Sequence, residues 1–323
     1  MAKLRFQGEV FETGGDTVLD CLAAHGRPIP SGCRSGVCQS CLVQVVDGPV
    51  PEGAQGGLDE ASVERGLLLA CQARPREDLE IAPAGSLVER HAVRVLGLRE
   101  LGPEVREMKL SRPAGYAFLA GQFLQLQRAD GLARSYSIAS DSARDDFLLL
   151  HVGRVPGGRM SSWVFDDARP GEQATVTGAR GRCYLPSDAP TGQPLLLVAT
   201  GTGLAPLRSI LGEALRRGHE GRIVLYHGAR DAGGLYCDAG LRALAQAHPQ
   251  FTYEACVSRG EAPAGTRPGR ASTLALADLP DLTGWRVFLC GNPAMVEETR
   301  REAFLAGAAS SAIHCDSFLP SGD

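Results

Sequence analysis

The first 82 residues place apolar and polar positions in short alternating runs. Two of these runs, Lys3–Phe6 and Glu9–Glu12, are separated by a glycine and predict a β-hairpin. Over Thr17–His25 the apolar residues follow helical spacing, and Asp16 is predicted to cap the start of this helix. A further strand is predicted at Leu42–Val46, so the segment is expected to form a small mixed α+β domain.

Two other patterns follow along the chain. Alternating runs around Ala92–Leu96 and Phe123–Gln127, with turns between them, predict an antiparallel β-barrel that extends to about residue 188. From Gln193 onward, short continuous apolar strands each precede a helical stretch, which predicts a doubly wound parallel sheet. These strands are Leu195–Ala199, Ile223–Tyr226 and Val287–Cys290. Three domains are predicted, at residues 1–83, 90–188 and 192–323.

Length and composition agree with a multidomain cytoplasmic protein. The 323 residues exceed what one hydrophobic core usually fills. The longest apolar stretches are too short to cross a bilayer, and Met1 is followed by charged residues without a signal-like apolar region. No membrane partner is therefore expected.

Charge excludes one class of partner and suggests another. The net charge of -4 gives no basis for binding nucleic acid, which needs Lys and Arg concentrated on one face. Residues 1–82 contain 12 acidic and 7 basic residues, whereas the rest of the chain is close to neutral. The acidic segment is either a docking surface for a protein partner or a set of solvated loops with no partner.

Cysteine spacing is the most specific signal in the chain. Four of the ten cysteines form a spaced set, and the other six are scattered. Cys33 and Cys38 are separated by four residues, Cys38 and Cys41 by two, and Cys41 and Cys71 by twenty-nine. This is the plant-type spacing of a 2Fe-2S cluster, in which each iron takes two protein thiolates. A structural zinc is the alternative, but zinc sites favour paired Cys-x2-Cys knuckles and this set contains one.

Two segments of the predicted barrel suit a phosphorylated ligand. Arg134-Ser135-Tyr136-Ser137 follows a turn and is predicted to form a strand whose arginine suits a phosphate. A glycine-rich turn then leads into a helix, whose free backbone N–H groups can bind a pyrophosphate. This turn runs through Val155, Pro156, Gly157, Gly158, Arg159, Met160, Ser161 and Ser162.

The parallel-sheet domain carries a second glycine-rich turn. The apolar strand at residue 195 leads into Gly201-Thr202-Gly203, and Pro206 falls in the first turn of the helix that follows. The glycines bring the backbone close to a dinucleotide. The second strand leads to Arg230, which can read the adenosine ribose, and the third ends in Cys290-Gly291.

Taken in order, these motifs resemble the ferredoxin-NADP reductase superfamily over essentially the whole chain. The match is closest to the 2Fe-2S/FAD reductase components of bacterial aromatic-ring oxygenase systems. The resemblance implies a β-grasp ferredoxin domain, an FAD-binding barrel and a nicotinamide domain. It also implies that Arg134 contacts FAD phosphate, Tyr136 packs on the isoalloxazine and Ser137 approaches N5, with Ser135 on the same strand. The glycine-rich turn at Gly157–Ser162 would hold the pyrophosphate.

The resemblance assigns roles on the nicotinamide side as well. Cys290 would lie beside the nicotinamide C4 during hydride transfer, and Gly291 follows it in the family's Cys-Gly-x-Pro-x-Met motif. Phe318, near the last predicted strand, either shields the flavin or packs in the core. The choice between NADH and NADPH depends on the residues that face the 2′ position of the ribose. Asp231, beside Arg230, would repel a 2′-phosphate, whereas Arg230 and Ser258-Arg259 could accept one. NADH is predicted because similar reductases mostly use it, with NADPH as the alternative.

The implied activity is that of an NAD(P)H:acceptor oxidoreductase. Flavin stands between nicotinamide, which gives two electrons as one hydride, and the cluster, which accepts one electron at a time. Three recipients or roles are open. Electrons pass to a terminal oxygenase or its ferredoxin, or to another acceptor such as a deoxysugar dehydratase, or the protein senses redox state without turnover.

Overall fold

The protein is described here by a computed structural model. The structure describes residues 2–29, 31, 34, 36, 39–85 and 89–318. These residues divide into two compact units. The first runs to His91 and includes Ala133–Ser135, and the second comprises Ala92–Leu132 and Tyr136–Phe318. The three domain ranges predicted from the sequence stay a prediction.

The first unit contains a five-stranded mixed sheet with two short helices. Its elements are β1 (Ala2–Phe6), β2 (Glu9–Thr13), α1 (Val18–Ala24), β3 (Leu42–Asp47), α2 (Glu60–Glu64), β4 (Leu67–Leu69) and β5 (Leu79–Pro83). The strand order is β2-β1-β5-β3-β4. The antiparallel β1–β2 ladder confirms the predicted hairpin, and the parallel β1–β5 pair makes the sheet mixed. Strands and helices within one unit agree with the predicted α+β class.

Helix α1 begins one residue later than the sequence suggested. The hydroxyl of Thr17 accepts a hydrogen bond from the backbone N–H of Asp20 at 3.1 Å, so Thr17 is the N-cap. The prediction that Asp16 caps the helix was wrong. Asp and Thr are both common N-cap residues. Here the side chain of Thr17 is the one that accepts from a backbone N–H of the first helical turn, that of Asp20. Gly26, with φ +72°, follows the C-cap residue His25, a position where glycine is favoured.

A six-stranded antiparallel sheet lies mostly within the second unit. Its elements are β6 (Arg90–Gly102), β7 (Val105–Ser111), β8 (Phe123–Gln127), β9 (Ala133–Ser137), β10 (Phe147–Gly153), α3 (Arg159–Ser162) and β11 (Gln173–Thr177). The order is β10-β7-β6-β11-β8-β9, and a bridge between Ile138 and Leu150 links the two end strands. This bridge closes the sheet on itself, which agrees with the predicted barrel.

A six-stranded parallel sheet forms the rest of the second unit. Its strands are β12 (Leu195–Thr200), β13 (Ile223–Ala229), β14 (Phe251–Val257), β15 (Arg267–Pro268), β16 (Arg286–Gly291) and β17 (Ile313–Ser317). Its helices are α4 (Leu204–Arg216), α5 (Asp238–Ala247), α6 (Ala271–Asp278) and α7 (Pro293–Leu305). The order β15-β14-β13-β12-β16-β17 confirms the doubly wound sheet. Over the described ranges, no helix combines the length and apolarity needed to cross a bilayer.

The strand order places a ligand crevice. Strand β12 has β13 on one side and β16 on the other, so the direction of winding reverses between β12 and β16. In open α/β sheets, ligands bind outside the carboxyl ends of the strands at such a switch point. The turn Gly201–Gly203 follows β12 at this edge, and Cys290 and Gly291 end β16 beside it.

One apolar core joins the barrel to the parallel sheet. Val105, Ala120 and Cys183 from the barrel side pack in the same cluster as Leu197 and Phe288 from the sheet. All five side chains are buried. Because the cluster is continuous, the barrel and the sheet of the second unit are held by shared hydrophobic burial.

Buried histidines add polar contacts to this junction. His151 on β10 is hydrogen-bonded to the Tyr236 hydroxyl at 3.2 Å, and His227 on β13 to the Tyr253 hydroxyl at 3.2 Å. Tyr236 also packs edge-on against both imidazoles. Burial raises the pKa of Tyr236, so its hydroxyl stays protonated. Two tyrosines and two histidines therefore form one neutral cluster in the second unit.

Acidification below pH 6.5 is expected to destabilise the second unit. Burial, together with nearby Arg208 and Arg99, lowers the pKa of His151 to about 3, and burial lowers the pKa of His227 to about 4. Both are neutral in the fold, whereas a histidine in the unfolded chain takes up a proton near pH 6.5. The stabilisation is therefore complete above pH 6.5 and is lost as the pH falls toward 4.

We expect the free energy of unfolding to fall by on the order of a few kcal/mol across this window. The measurement is denaturant unfolding at pH 7 and pH 5, followed by the fluorescence of the two tryptophans, both of which lie in the second unit. The His151→Gln, His227→Gln double variant should show a smaller pH dependence than the unmodified protein. An equal change in the free energy of unfolding between pH 7 and pH 5 in the two proteins would contradict this explanation.

Candidate functional site

Two of the four predicted cluster ligands lie side by side in the first unit. Cys41 directly precedes β3 and Cys71 follows β4. The β3–β4 ladder pairs Leu42 with Leu69, and the N–H of Ala70 donates to the carbonyl of Cys41 at 3.0 Å. Strand pairing therefore brings the two cysteines together, although twenty-nine residues separate them. Cys33 and Cys38 lie outside the described residues, and the ligand set stays a prediction.

The described surroundings of Cys71 fit a cluster. The side-chain amide Nε2 of Gln72 lies 3.4 Å from the Sγ of Cys71 and donates to the carbonyl of Arg34 at 3.1 Å. Arg34 and Gln39 have positive φ, as has Gly36, which is typical of a tightly wound loop. Amide donors that point at sulfur stabilise a negatively charged thiolate. Gln72 was missed in the sequence, because its hydrogen bond to Arg34, 38 positions away, exists only in the folded loop.

The strand predicted at Arg134–Ser137 is confirmed as β9, and its contacts with flavin stay a prediction. Ser137, at its end, is buried, and Tyr136 packs against the core of the barrel. The hydroxyl of Ser135 is buried and has no hydrogen-bond partner among the described residues. A buried hydroxyl without a partner is costly unless a ligand satisfies it. This orphaned group, beside Arg134 on the same strand, fits a polar flavin contact.

The glycine-rich turn of the barrel leads directly into α3. Gly157 has φ +72°, and Gly158 is the N-cap. The hydroxyl of Ser161 accepts from the N–H of Val155 at 3.1 Å, and the side chains of Met160 and Ser161 are buried. These two side chains therefore hold the turn in shape. The groups of this turn that would bind the pyrophosphate are therefore its backbone N–H groups and the side chain of Arg159. These phosphate contacts stay a prediction.

The turn after β12 interlocks with the end of β16 through two glycines. A Cβ on Gly203 would lie 2.2 Å from the carbonyl oxygen of Cys290. A Cβ on Gly291 would lie 2.4 Å from the carbonyl oxygen of Thr200, and Gly291 also has φ +122°. The Thr200 hydroxyl accepts from the N–H of Asn292 at 2.9 Å. This close backbone packing fits the approach of a dinucleotide to the turn.

The structure brings predicted flavin and nicotinamide residues to one place. The hydroxyl of Ser137 on β9 donates to the Oδ2 of Asp316 on β17 at 3.2 Å, across 179 residues of sequence. Asp316 pairs in register with Cys290 on β16. Ser137, Asp316 and Cys290 are all buried. Asp316 was missed in the sequence, because nothing local marks it as different from other acids.

Cys290 is held as a neutral thiol. Its Sγ lies 3.6 Å from the Sγ of Cys183, with which it shares a hydrogen bond. Burial first, then the hydrogen bond with Cys183 and the proximity of Asp316, raise the pKa of Cys290 well above its usual value. A neutral thiol packs against an uncharged ring without the cost of burying a charge. Cys183 was also missed in the sequence.

Two other predicted residues lie near the same edge of the sheet. The backbone N–H of Phe318 donates to the carbonyl of Gly291 at 2.8 Å, so Phe318 follows β17 beside the switch point. The backbone N–H of Arg259 donates to the carbonyl of exposed Arg230 at 2.8 Å. The two arginines therefore stand together beyond β13 and β14, where the sequence predicted recognition of the ribose.

Loss of the contact between Ser137 and Asp316 is expected to slow NADH-driven reduction. We expect Ser137→Ala and Asp316→Ala each to lower the rate about tenfold, equivalent to about 1.4 kcal/mol, because each removes the hydrogen bond that joins β9 to β17. The double variant should be little worse than either single variant, since both remove one interaction.

The rates are to be measured by anaerobic stopped-flow absorbance. Ser317→Ala, one residue from Asp316, is the matched control and should react at the normal rate. Additive effects in the double variant would show that the two residues act independently.

Three family profiles match the chain in the order that the sequence suggested. The family described as "2Fe-2S iron-sulfur cluster binding domain" matches residues 5–76. The "Oxidoreductase FAD-binding domain" matches residues 98–184, and the "Oxidoreductase NAD-binding domain" matches residues 197–301. The matches cover the first unit from the end of β1 to residue 76, most of the barrel and most of the parallel sheet.

Several curated proteins are similar over nearly their whole length. The reductase subunit of an aromatic O-demethylase from an Amycolatopsis strain is 36% identical over 319 residues, which are 95% of both chains. The ferredoxin–NAD(P)+ reductase component of the naphthalene 1,2-dioxygenase/salicylate 5-hydroxylase systems of Ralstonia is 34% identical over 95% of both. A CDP-6-deoxy-L-threo-D-glycero-4-hexulose-3-dehydrase reductase of Yersinia pestis is 27% identical over 99% of this chain and 98% of its own.

A solved structure has the same fold. The crystal structure of an Amycolatopsis cytochrome P450 reductase superposes with a TM-score of 0.73 at 32% identity and covers 100% of both chains. The similarity extends over all three kinds of domain.

Proposed function

Because the chain belongs to the ferredoxin-NADP reductase superfamily, among the reductase components that combine 2Fe-2S, FAD-binding and NAD-binding domains, we propose that it delivers electrons from NADH to a terminal oxygenase or to that oxygenase's ferredoxin. It is an NAD(P)H:acceptor oxidoreductase. When bound, FAD would supply the conversion between the two-electron hydride of a nicotinamide and the single electrons that a 2Fe-2S cluster takes.

Residues of β9 and of the parallel sheet would bind and orient the two organic cofactors. Arg134 and Ser135 would contact FAD, and Tyr136 would lie along it. Gly201–Gly203 would receive the dinucleotide backbone, since two glycine contacts already bring that turn against β16. The neutral thiol of Cys290 would lie against the nicotinamide ring. Positioning and exclusion of water are then the main contributions of the protein to the reaction.

One observation carries this proposal. The hydrogen bond between Ser137 and Asp316 joins the predicted flavin strand to the strand beside Cys290. Ser137, expected to approach flavin N5, and Cys290, expected to lie beside nicotinamide C4, are thereby held close together. Direct hydride transfer requires such proximity of the two rings. The roles of Ser137, Cys290 and Phe318 rest on this juxtaposition and on the family.

The visible spectrum of the purified protein tests the proposal. We expect flavin and iron-sulfur bands that bleach on anaerobic titration with NADH, with dithionite as the control for complete reduction. Bands that bleach with dithionite but with neither NADH nor NADPH would favour a redox sensor without turnover. Absence of both bands would refute the proposal.

A second acceptor class is supported by one relative. The dehydrase reductase of Yersinia pestis shares nearly the full length of this chain, so the domain order alone does not select an oxygenase. The acidic excess of residues 1–82 supports docking of an acceptor on the 2Fe-2S domain in either case. Reconstitution with a purified oxygenase or with a deoxysugar dehydratase, each scored by product formation, distinguishes the two.

NADH is proposed as the preferred reductant, with Asp231 as the residue that disfavours NADPH. Asp231 follows the exposed Arg230, and its carboxylate would repel a 2′-phosphate that Arg230 and Arg259 attract. We expect Asp231→Ala to lower the KM for NADPH roughly fivefold, about 1 kcal/mol, and to leave the KM for NADH unchanged. Equal changes for both cofactors would contradict a role in selectivity.

The proposed location is the cytoplasm. The eight described cysteines form no disulfide with one another. A chain that depends on thiolate ligands and on reduced nicotinamide suits a reducing compartment.

A further inference from the structure

Cys183 and Cys290 bring two thiols into contact inside the second unit. Their sulfur atoms lie 3.6 Å apart although 107 residues separate them in the chain. Both side chains are buried in the core that joins the barrel to the parallel sheet. We propose that this pair is a redox-sensitive modification site. A peroxide oxidises the two thiols to a Cys183–Cys290 disulfide, and this disulfide prevents reduction of the protein by NADH.

The geometry requires a small movement. A disulfide has about 2.05 Å between its sulfurs, so the two atoms must approach by about 1.5 Å. Cys290 is anchored in β16, which pairs with β12 on one side and β17 on the other. Cys183 lies outside any helix or strand, in the segment between β11 and β12. Rotation of the Cys183 side chain and a shift of its segment supply the approach.

A third cysteine nearby is placed less well. Cys315 on β17 packs toward the core on the other face of the sheet. The residue of β17 that pairs with Cys290 is Asp316. Neighbouring residues of a strand point to opposite faces, so Cys315 and Asp316 lie on opposite faces of β17. Cys315 is still near enough to Cys183 for that thiol, after burial, to raise the pKa of Cys315. The sulfurs of Cys183 and Cys290 are the two in hydrogen-bond contact, so the expected linkage is between them.

The chemistry consumes one molecule of hydrogen peroxide. First, on local opening, one thiol loses its proton and the thiolate attacks the peroxide: an S–O bond forms, the O–O bond breaks, and the hydroxide that leaves takes up the proton as water, so that a sulfenic acid remains. The second thiol then attacks that sulfur: the S–S bond forms, the S–O bond breaks, and hydroxide leaves with the thiol proton as a second water. The thiol pair loses two electrons and the peroxide gains them. Burial makes local opening necessary, so the reaction is expected to be slower than at an exposed thiol.

The expected consequence rests on the proposed role of Cys290. The disulfide removes its thiol from the end of β16 and ties the barrel segment covalently to the parallel sheet. Reduction by NADH should be lost, whereas reduction by dithionite, which needs no nicotinamide site, should persist. Thiol reductants should reverse the change.

The first test is chemical and does not depend on turnover. The holoprotein is treated with hydrogen peroxide, which catalase then removes, and free thiols are alkylated in denaturant before digestion without reductant. We expect mass spectrometry to find peptides joined through Cys183 and Cys290 that separate with dithiothreitol. Alkylation of both cysteines, or a linkage of either one to Cys315, would overturn the proposal.

The second test measures ferricyanide reduction by NADH, which bypasses the peroxide-sensitive cluster. We expect peroxide to lower this rate at least tenfold and dithiothreitol to restore it. Cys183→Ser should keep its activity after the same treatment. Cys256→Ser, which removes a buried thiol from the other core of this sheet, should be inhibited like the unmodified protein.

Two further outcomes distinguish the proposed modification site from the proposed role of Cys290 beside the nicotinamide. Equal inhibition of Cys183→Ser and the unmodified protein would overturn the modification site. A disulfide that forms without loss of NADH-driven reduction would support the site and refute the proposed role of Cys290 beside the nicotinamide.

Discussion

Replacement of Cys71 by serine is expected to abolish the reduction of cytochrome c by NADH while leaving the reduction of ferricyanide largely intact. Iron-sulfur clusters select soft thiolate ligands, and a serine hydroxyl at this position is a poor substitute. One-electron transfer through the cluster should fall by about a hundredfold or more, equivalent to about 2.7 kcal/mol. Ferricyanide takes electrons from the flavin and therefore does not need the cluster.

The matched control is Cys21→Ser in the same unit. Cys21 is also buried, but it lies in α1, with its sulfur near the carbonyl of Glu12 at 3.9 Å. This variant should keep its iron-sulfur absorption and its cytochrome c activity. If Cys71→Ser lost both activities equally, the order of electron transfer from flavin to cluster would be refuted.

Gly203→Ala is expected to lower NADH-driven flavin reduction at least about tenfold and to destabilise the second unit by about 1–3 kcal/mol. The backbone of Gly203, at φ -58° and ψ -14°, suits any residue, so the effect is purely steric. The new Cβ would lie 2.2 Å from the carbonyl oxygen of Cys290 and must push the turn away from β16. The predicted nicotinamide contacts on both sides of the crevice then move apart.

Gly212→Ala, within the helix α4 that Gly203 precedes, is the control for this substitution. No atom lies within 4 Å of a Cβ at Gly212, so the alanine should be tolerated and should stabilise the helix by about 0.5–1 kcal/mol. Stopped-flow reduction by NADH and denaturant unfolding are the two measurements, and dithionite should reduce both variants fully. Unchanged hydride-transfer rates in Gly203→Ala would contradict the close approach of turn and strand.

Local features of the chain were predictable because their causes are local. The hairpin of Lys3–Phe6 and Glu9–Glu12 and the parallel strands at residues 195, 223 and 287 follow from periodicity and apolar runs, and the structure confirms them. The capping of α1 shows where local signals become ambiguous. Asp16 and Thr17 are equally good caps in sequence, and the observed hydrogen bond to Asp20 selects Thr17.

The contacts that organise the candidate site were not predictable from sequence spacing. Asp316 is one acid among 37 acidic residues, and its importance depends on Ser137, which approaches from 179 positions away. Cys183 was one of six scattered cysteines until the fold placed it against Cys290. Gln72 is the chain neighbour of Cys71, but its amide is held by the carbonyl of Arg34, 38 positions away, which only the fold brings near.

By itself, the sequence determined the kinds of domain, the four cysteines predicted to hold a cluster, and the turns predicted to meet FAD and a nicotinamide. Ligand spacing, strand periodicity and glycine turns are short-range properties that the order of residues encodes directly. Only the tertiary structure decided which side chains stand beside Ser137 and Cys290. Strand order at the switch point and burial between barrel and sheet set those neighbours, and both depend on contacts between residues far apart in the chain.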